Sequence, residues 1–370
     1  MIPAVTESSV TEIQPRARVR AMPEYHPPLG NRDWLRLDFN ENTLACSPAV
    51  KSAFENISAG DLTRYPEREP VEALAASHLG LAPEQVVLTN GIDEAIHVLC
   101  QAFLGPGDEM LLPVPTYTMY EIYASATDAT LRKVQAAADF RFPFESLLAA
   151  IHPRTKIIAI ANPNSPTGSG ATREQILAIA HAAPGAVVLV DEAYFHFYGQ
   201  SVIDLIDQLP NLVVARTFSK AYGLAGLRLG LLAGPESLLQ WVRRVLSPYS
   251  VNTPALAALK AALTDPDAQS YLDWYVKEVK GARTEFLGGL TQLGLEYWPS
   301  EANFVLVNIG PMHREFVAVM RDHGILTRDR SADPGCEGCV RITIGTPEQM
   351  RQALAAVESF LQSASNGAAK

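Results

Sequence analysis

The sequence predicts an α/β protein: a large domain with a mainly parallel sheet covered by helices on both faces, plus a smaller α+β domain. Two patterns and the chain length predict it. Between residues 83 and 235, short runs rich in Val, Ile and Leu alternate with helical segments, as expected for parallel strands buried on both faces. Beyond Pro235 the texture changes to long helices separated by short strand-like runs. At 370 residues the chain exceeds the usual size of one hydrophobic core, so a large unit with a smaller companion is expected. The boundaries read as 1–48 for an N-terminal arm with a small-domain segment, 49–265 for the large domain and 266–370 for the small C-terminal domain.

The first twenty residues carry charges and prolines without an apolar run and read as poorly ordered, and residues 21–28 read as an extended arm limited by proline. Residues 35–39 alternate like a short strand. Ser47 precedes Pro48 as the cap and first position of a helix. Strands follow at 86–89, 110–114, 156–161, 186–191 and 212–216, with helices at 95–104 and 173–181 and a further apolar run at 229–233. Helices are expected at 236–246, 254–263 and 268–293, then strands at 303–308, 325–328 and 340–344, with helices at 314–323 and 347–361. Residues 363–370 read as a frayed tail.

Composition removes several function classes. No stretch approaches the ~20 consecutive apolar residues of a membrane helix, and the N-terminus lacks the apolar core of a secretory signal. Four cysteines make a poor disulfide framework for this length, so a cytoplasmic protein is expected. Cys336 and Cys339 form a CxxC, but no second ligand pair stands out, and no metal site is expected. The net charge of −10 argues against nucleic-acid binding, although local arginines can still favour an anionic small molecule.

The chemistry centres on Thr217-Phe218-Ser219-Lys220 and, eight positions further on, Arg228. An amine beside hydroxyls and a guanidinium can hold an aldehyde as a Schiff base and bind a phosphate. Pyridoxal phosphate (PLP) carries both groups, and a plain loop lysine is the alternative. Asn90-Gly91-Ile92-Asp93 lies between a strand and a helix, so the N–H groups of Ile92 and Asp93 would point at a phosphate, or merely begin a helix. Asp191 ends the most apolar strand, where a carboxylate must be exposed or paired. A protonated pyridine nitrogen is a suitable partner, and Tyr194 can reach the ring's 3-hydroxyl. The prolines and glycine of residues 162–168 fix a rigid loop. Tyr117 can stack on a flat ring or belong to the core. Neither GxGxxG nor GxxxxGK[ST] occurs in the right place, which excludes dehydrogenase and nucleotide-hydrolase readings.

From about Tyr25 to the C-terminal helix the chain resembles the fold-type I PLP-dependent aminotransferases of class I/II, and among them most resembles the histidinol-phosphate aminotransferases. The residues behind the narrower resemblance are Leu37-Asp38-Phe39-Asn40-Glu41-Asn42, Arg64-Tyr65-Pro66, residues 115–120, residues 300–304 and residues 338–346. The resemblance implies Lys220 as the Schiff-base lysine, Asp191 as the pyridinium partner, Tyr194 as ligand of the 3-oxygen and Tyr117 as the stacking ring. It implies phosphate contacts from Ile92, Asp93, Thr217, Ser219 and Arg228. Tyr65 would reach the cofactor phosphate of a neighbouring subunit in a homodimer with shared active sites. Arg341 would receive the substrate's anionic group, Arg328 and Tyr25 its phosphate, and Asn42 lies in a substrate loop.

The chain departs from the family pattern in two places. Ser165 stands where asparagine usually contacts the 3-oxygen, so that contact is lost, bridged by water or taken over by Asn164. Thr43 and Ala45 stand in place of proline and glycine. The implied reaction is ping-pong transfer of an amino group from histidinol phosphate to 2-oxoglutarate, in histidine biosynthesis. Transamination of aromatic or other amino acids, decarboxylation of a phospho-amino acid and a PLP-binding regulator are the rival readings. The regulator would need a DNA-binding segment, for which the chain before Tyr25 is too short.

Overall fold

The computed structural model describes residues 13–368. Its main sheet has seven strands in the spatial order Val86–Thr89, Gly230–Ala233, Leu212–Thr217, Val187–Asp191, Thr155–Ala161, Glu109–Val114 and Thr130–Gln135. Gly230–Ala233 runs antiparallel to both its neighbours, and the other pairings are parallel. Successive side chains of a strand point to opposite faces. Accordingly Ile158, Ile160, Val188, Val190 and Val214 enter one core, while Ile157, Ala159, Val187, Leu189 and Val213 enter the other. Helices Arg173–Ala182 and Thr253–Thr264 cover the first face through Ile176, Ile179, Leu256 and Leu259. Helices Gly91–Phe103 and Glu236–Val245 cover the second through Ile96, Leu99, Leu239 and Val242. Burial on both faces explains why these strands are apolar throughout.

A second, antiparallel sheet has the order Arg328–Asp329, Cys339–Thr343, Phe304–Asn308 and Glu296–Trp298. It packs with the 27-residue helix Pro266–Gln292 and with His313–Asp322 around Phe286, Phe304, Phe316, Met320 and Ile342. Leu37, Tyr194, Phe197 and Ala221 enter this same core. The loops at the carboxyl ends of the parallel strands, where open α/β sheets bind ligands, are therefore held from both sides.

The structure differs from the sequence expectations in local ways. The strand expected at 35–39 is only Leu35–Arg36, paired in parallel with Ile325–Leu326, because Asn40 turns into the left-handed region at φ 55°. The run expected at 325–328 is divided: Arg328–Asp329 joins the antiparallel sheet instead. Within the stretch expected to be poorly ordered, Ala17–Ala21 is helical, seated by the ion pair of Arg16 with Asp128 at 2.7 Å and by Arg18 on the Ala129 carbonyl. Residues 1–12 lie outside the described residues. The final helix, Pro347–Ala368, runs through most of the expected tail. Ser47 does precede a helix, Pro48–Glu55, yet its side chain makes no capping bond.

One close approach joins the sheet to the helix it feeds. A Cβ on Gly230 would stand 2.8 Å from the Gly91 carbonyl carbon and 2.9 Å from the Ile92 nitrogen, both backbone atoms with little freedom to retreat. Gly230→Ala should therefore destabilise the protein by about 1–3 kcal/mol, whereas Gly185→Ala, with nothing within 4 Å of its added Cβ, should change stability by less than about 0.5 kcal/mol. Urea unfolding of the two variants checks this, and equal effects would contradict the close approach.

Candidate active site

The Lys220 amine lies in the loop after Leu212–Thr217 and donates a 2.9 Å hydrogen bond to the Phe39 carbonyl. It stands 5.8 Å from the centre of the Tyr194 ring. Asp191, at the end of the adjacent strand, is 6% exposed. Its carboxylate accepts bonds from the Tyr120 hydroxyl at 2.6 Å and the Ala193 N–H at 3.0 Å, but no cation reaches ion-pair distance among the described residues. Burial pushes its pKa up to about 6, against the bonds from Tyr120 and Ala193 that lower it. A buried carboxylate without a cation is an unfinished arrangement, suited to a cationic ring nitrogen.

The phosphate end is equally open. Gly91, at φ 77°, begins the helix Gly91–Phe103, and no side chain caps that end. The N–H groups of Ile92 and Asp93 are thus available to an anion, reinforced by the helix dipole. Gly230 links this turn to Thr217, its register partner, and the Thr217 hydroxyl accepts the Ser219 N–H at 3.1 Å. Arg228, at φ 53°, places a guanidinium nitrogen 2.9 Å from one Asp93 oxygen, while Tyr117 donates to the other at 2.8 Å. The amine, the unpaired carboxylate and the anion seat fit a phosphorylated pyridine aldehyde such as PLP.

Two further guanidinium groups stand opposite one another. Arg328 and Arg341 are register partners on antiparallel strands, and neither forms an ion pair among the described residues. Arg341 is 7% exposed and donates to the Ser165 hydroxyl at 2.9 Å and to the Asp38 carbonyl, leaving its buried Nε without a partner. Burial and the neighbouring Arg330 push its pKa down to about 10, so it stays protonated at neutral pH. Arg328 donates to the Tyr25 hydroxyl at 3.4 Å and lies over the Phe39 ring. Burying uncompensated cations is costly, and an anion would relieve it.

The remaining expected residues are placed as follows. Asn164 ties its loop to the neighbouring one: its amide donates to the Pro115 carbonyl and the Thr167 hydroxyl and accepts from Thr116. Asn42 donates to the Ala221 carbonyl and accepts the Leu44 N–H, holding its loop against the lysine segment. Thr43 bonds Gln349, and Tyr271 donates to the Ala45 carbonyl. Tyr65 stands apart, 77% exposed and stacked on Tyr249. Cys336 and Cys339 are buried near Phe140 and Leu306. Sequence reasoning assigned no role to Tyr120, the partner of Asp191, or to Asn40, whose amide reaches the Tyr194 hydroxyl. The only signal for Tyr120 was its position one helical turn after Tyr117.

The sequence pattern of the family described as aminotransferase class I and II matches residues 32–357. A histidinol-phosphate aminotransferase of Pectobacterium carotovorum subsp. carotovorum (strain PC1) is 36% identical over 357 residues, covering 93% of this chain and 96% of that protein. One from Geobacillus sp. (strain WCH70) is 33% identical over 368 residues, covering 94% and 98%. The crystal structure of histidinol-phosphate aminotransferase from Sinorhizobium meliloti in complex with pyridoxal-5'-phosphate superposes with a TM-score of 0.85 at 27% identity, covering 96% of this chain and all of that one.

The raised Asp191 pKa carries a sign that can be tested. Its folded value of about 6 exceeds the ordinary 3.8, so the carboxyl costs the ligand-free fold nothing below about pH 4 and up to roughly 3 kcal/mol once pH has risen past 6. In ligand-free protein, Asp191→Asn should gain stability relative to wild type as pH rises from about 4 to 8, by at most that amount. Denaturant unfolding at the two pH values measures the difference, and a gap that does not change with pH would contradict the uncompensated carboxylate.

Proposed function

We propose a function from one premise: the chain belongs to the class I and II aminotransferases. It is a PLP-dependent transaminase, and we assign its amino donor as histidinol phosphate and its acceptor as 2-oxoglutarate. The products are imidazole-acetol phosphate and glutamate, as in histidine biosynthesis. The observation that carries the substrate assignment is the facing pair Arg328 and Arg341, neither in an ion pair among the described residues, with the Tyr25 hydroxyl alongside. A phosphate dianion can engage both guanidinium groups and the phenol. An aromatic amino acid would fill similar space and leave Arg328 uncompensated.

The residues divide the work. Lys220 would hold the cofactor aldehyde, Ile92, Asp93, Thr217, Ser219 and Arg228 its phosphate, Asp191 its ring nitrogen and Tyr194 its ring oxygen, with Tyr117 against the ring. When bound, PLP supplies an electron-withdrawing ring that stabilises negative charge on the carbon bearing the amine. The Lys220 amine would take and return the proton at that carbon. Asp191 would stay ionised beside a cationic ring nitrogen, which would remove the penalty it carries alone. Arg341 receives the carboxylate of glutamate and the phosphate of the other substrate in turn. Ser165 meets Arg341 and therefore acts on the substrate side of the site.

We assign Tyr65 to the site of a second copy, since it is 77% exposed and its ring is stacked on Tyr249 at the surface. Large and small domains divided near residues 49 and 265 fit the separate cores, because the helix Pro266–Gln292 packs in the smaller one. Four free thiols suit a cytoplasmic location.

Mixing the PLP-loaded enzyme with single amines in a stopped-flow spectrophotometer tests the substrate. Histidinol phosphate should convert the cofactor far faster than phenylalanine at equal concentration, and equal rates would favour a broad-specificity enzyme. Arg328→Met should slow the histidinol-phosphate reaction by about ten- to a hundredfold at low substrate, from the loss of charge-assisted bonds, while changing the phenylalanine rate little. A uniform loss with both amines would remove Arg328 from phosphate recognition.

A further inference from the structure

We infer that Thr343 and Asn40 fix the direction of the Tyr194 hydroxyl proton, making this phenol a permanent hydrogen-bond donor towards the cofactor's ring oxygen. The inference rests on the PLP assignment above.

The argument is a count of protons. The Asn40 backbone N–H donates to the Thr343 hydroxyl oxygen at 3.0 Å, and the single Thr343 hydroxyl proton goes to Asn40 Oδ1 at 3.2 Å. That exchange orients the amide, with oxygen towards Thr343 and nitrogen away from it. Asn40 Nδ2 then donates to the Tyr194 oxygen at 2.9 Å. A phenol that accepts there still holds its own proton, and no acceptor among the described residues takes it. Asn40 is 1% exposed and Thr343 fully buried, so solvent cannot replace either bond. A reversed amide would present Oδ1 to Tyr194, take the proton and leave only lone pairs facing an anionic ring oxygen.

The backbone supports the same geometry. Asn40 occupies the left-handed region, which asparagine tolerates better than most residues. Asn303 clamps its carbonyl at 3.1 Å. Phe39, whose carbonyl accepts the Lys220 amine, is the preceding residue, so one short segment places both the amine and the phenol. Asn40 and Thr343 are positioning residues that act through Tyr194.

The experiment is a spectrophotometric pH titration of the Lys220–cofactor chromophore in the PLP-loaded enzyme. A donor on the ring oxygen favours the form in which the neighbouring nitrogen has lost its proton, so removing the donor raises the midpoint. Asn40→Asp keeps shape and left-handed tolerance but, when ionised, can only accept. It should raise the midpoint by about one pH unit, a tenfold change in the equilibrium, as should Tyr194→Phe. The Asn40→Asp/Tyr194→Phe double variant should go no further than Tyr194→Phe alone. Thr343→Val, which frees the amide to turn, should give a smaller rise and decides the matter if Asn40→Asp does not fold. Additive shifts in the double variant, or unmoved midpoints in Asn40→Asp and Thr343→Val, would overturn the inference while leaving the PLP assignment standing. Absence of any chromophore in wild type would overturn both.

Discussion

A carboxylate buried at the end of an apolar strand, with no ion-pair partner among the described residues, is the constraint on which this site depends. Asp191 and its neighbour Glu192 make the contrast plain. Glu192 is met by Arg216 Nε at 2.8 Å, the Ser201 hydroxyl and the Val202 N–H, so its charge is balanced within the protein. Among the described residues Asp191 bonds only a phenol and a backbone N–H. Two adjacent acids thus differ: one is balanced within the fold, and the other is left without an ion-pair partner among the described residues. The parallel sheet holds Asp191 in register with the strand leading to Lys220, so the acid and the amine are fixed relative to each other by main-chain bonds.

The same incompleteness recurs around it. The helix Gly91–Phe103 begins without a side-chain cap, and Arg328 and Arg341 face each other with no ion-pair partner among the described residues. Each gap has a defined sign: an anion for the helix end, a cation for Asp191, an anion for the arginine pair. Together they describe a ligand and a substrate more narrowly than any one does. The site also draws on both sheets, because Tyr194 and Ala221 share a core with Phe304 and Ile342. The antiparallel sheet, which carries Arg328 and Arg341, and the parallel sheet, which carries Asp191, are therefore joined through packed side chains.

Much of this was legible in the sequence, for a physical reason. Strands buried on both faces must be apolar throughout, so five of the seven strands of the main sheet stood out as strands and Gly230–Ala233 as an apolar run. Polar residues at their ends then marked Asp191, Thr217 and the Asn90–Asp93 turn. The edge strand Thr130–Gln135, with most of its side chains outward, gave no apolar run and was not visible. Tyr120 and Asn40 were not visible as participants, because their roles depend on contacts 71 and 154 residues away along the chain. Ser165 was recognised as unusual, but only the fold shows that its partner is Arg341, and that Asn164 bonds Pro115, Thr116 and Thr167.

The central claim is that one lysine, placed by these elements, carries the cofactor. Borohydride reduction of the PLP-loaded enzyme, followed by peptide mass spectrometry, tests it most directly. The account predicts a single modified peptide, with the cofactor on Lys220. Modification at another lysine, or none in a catalytically active preparation, would contradict it.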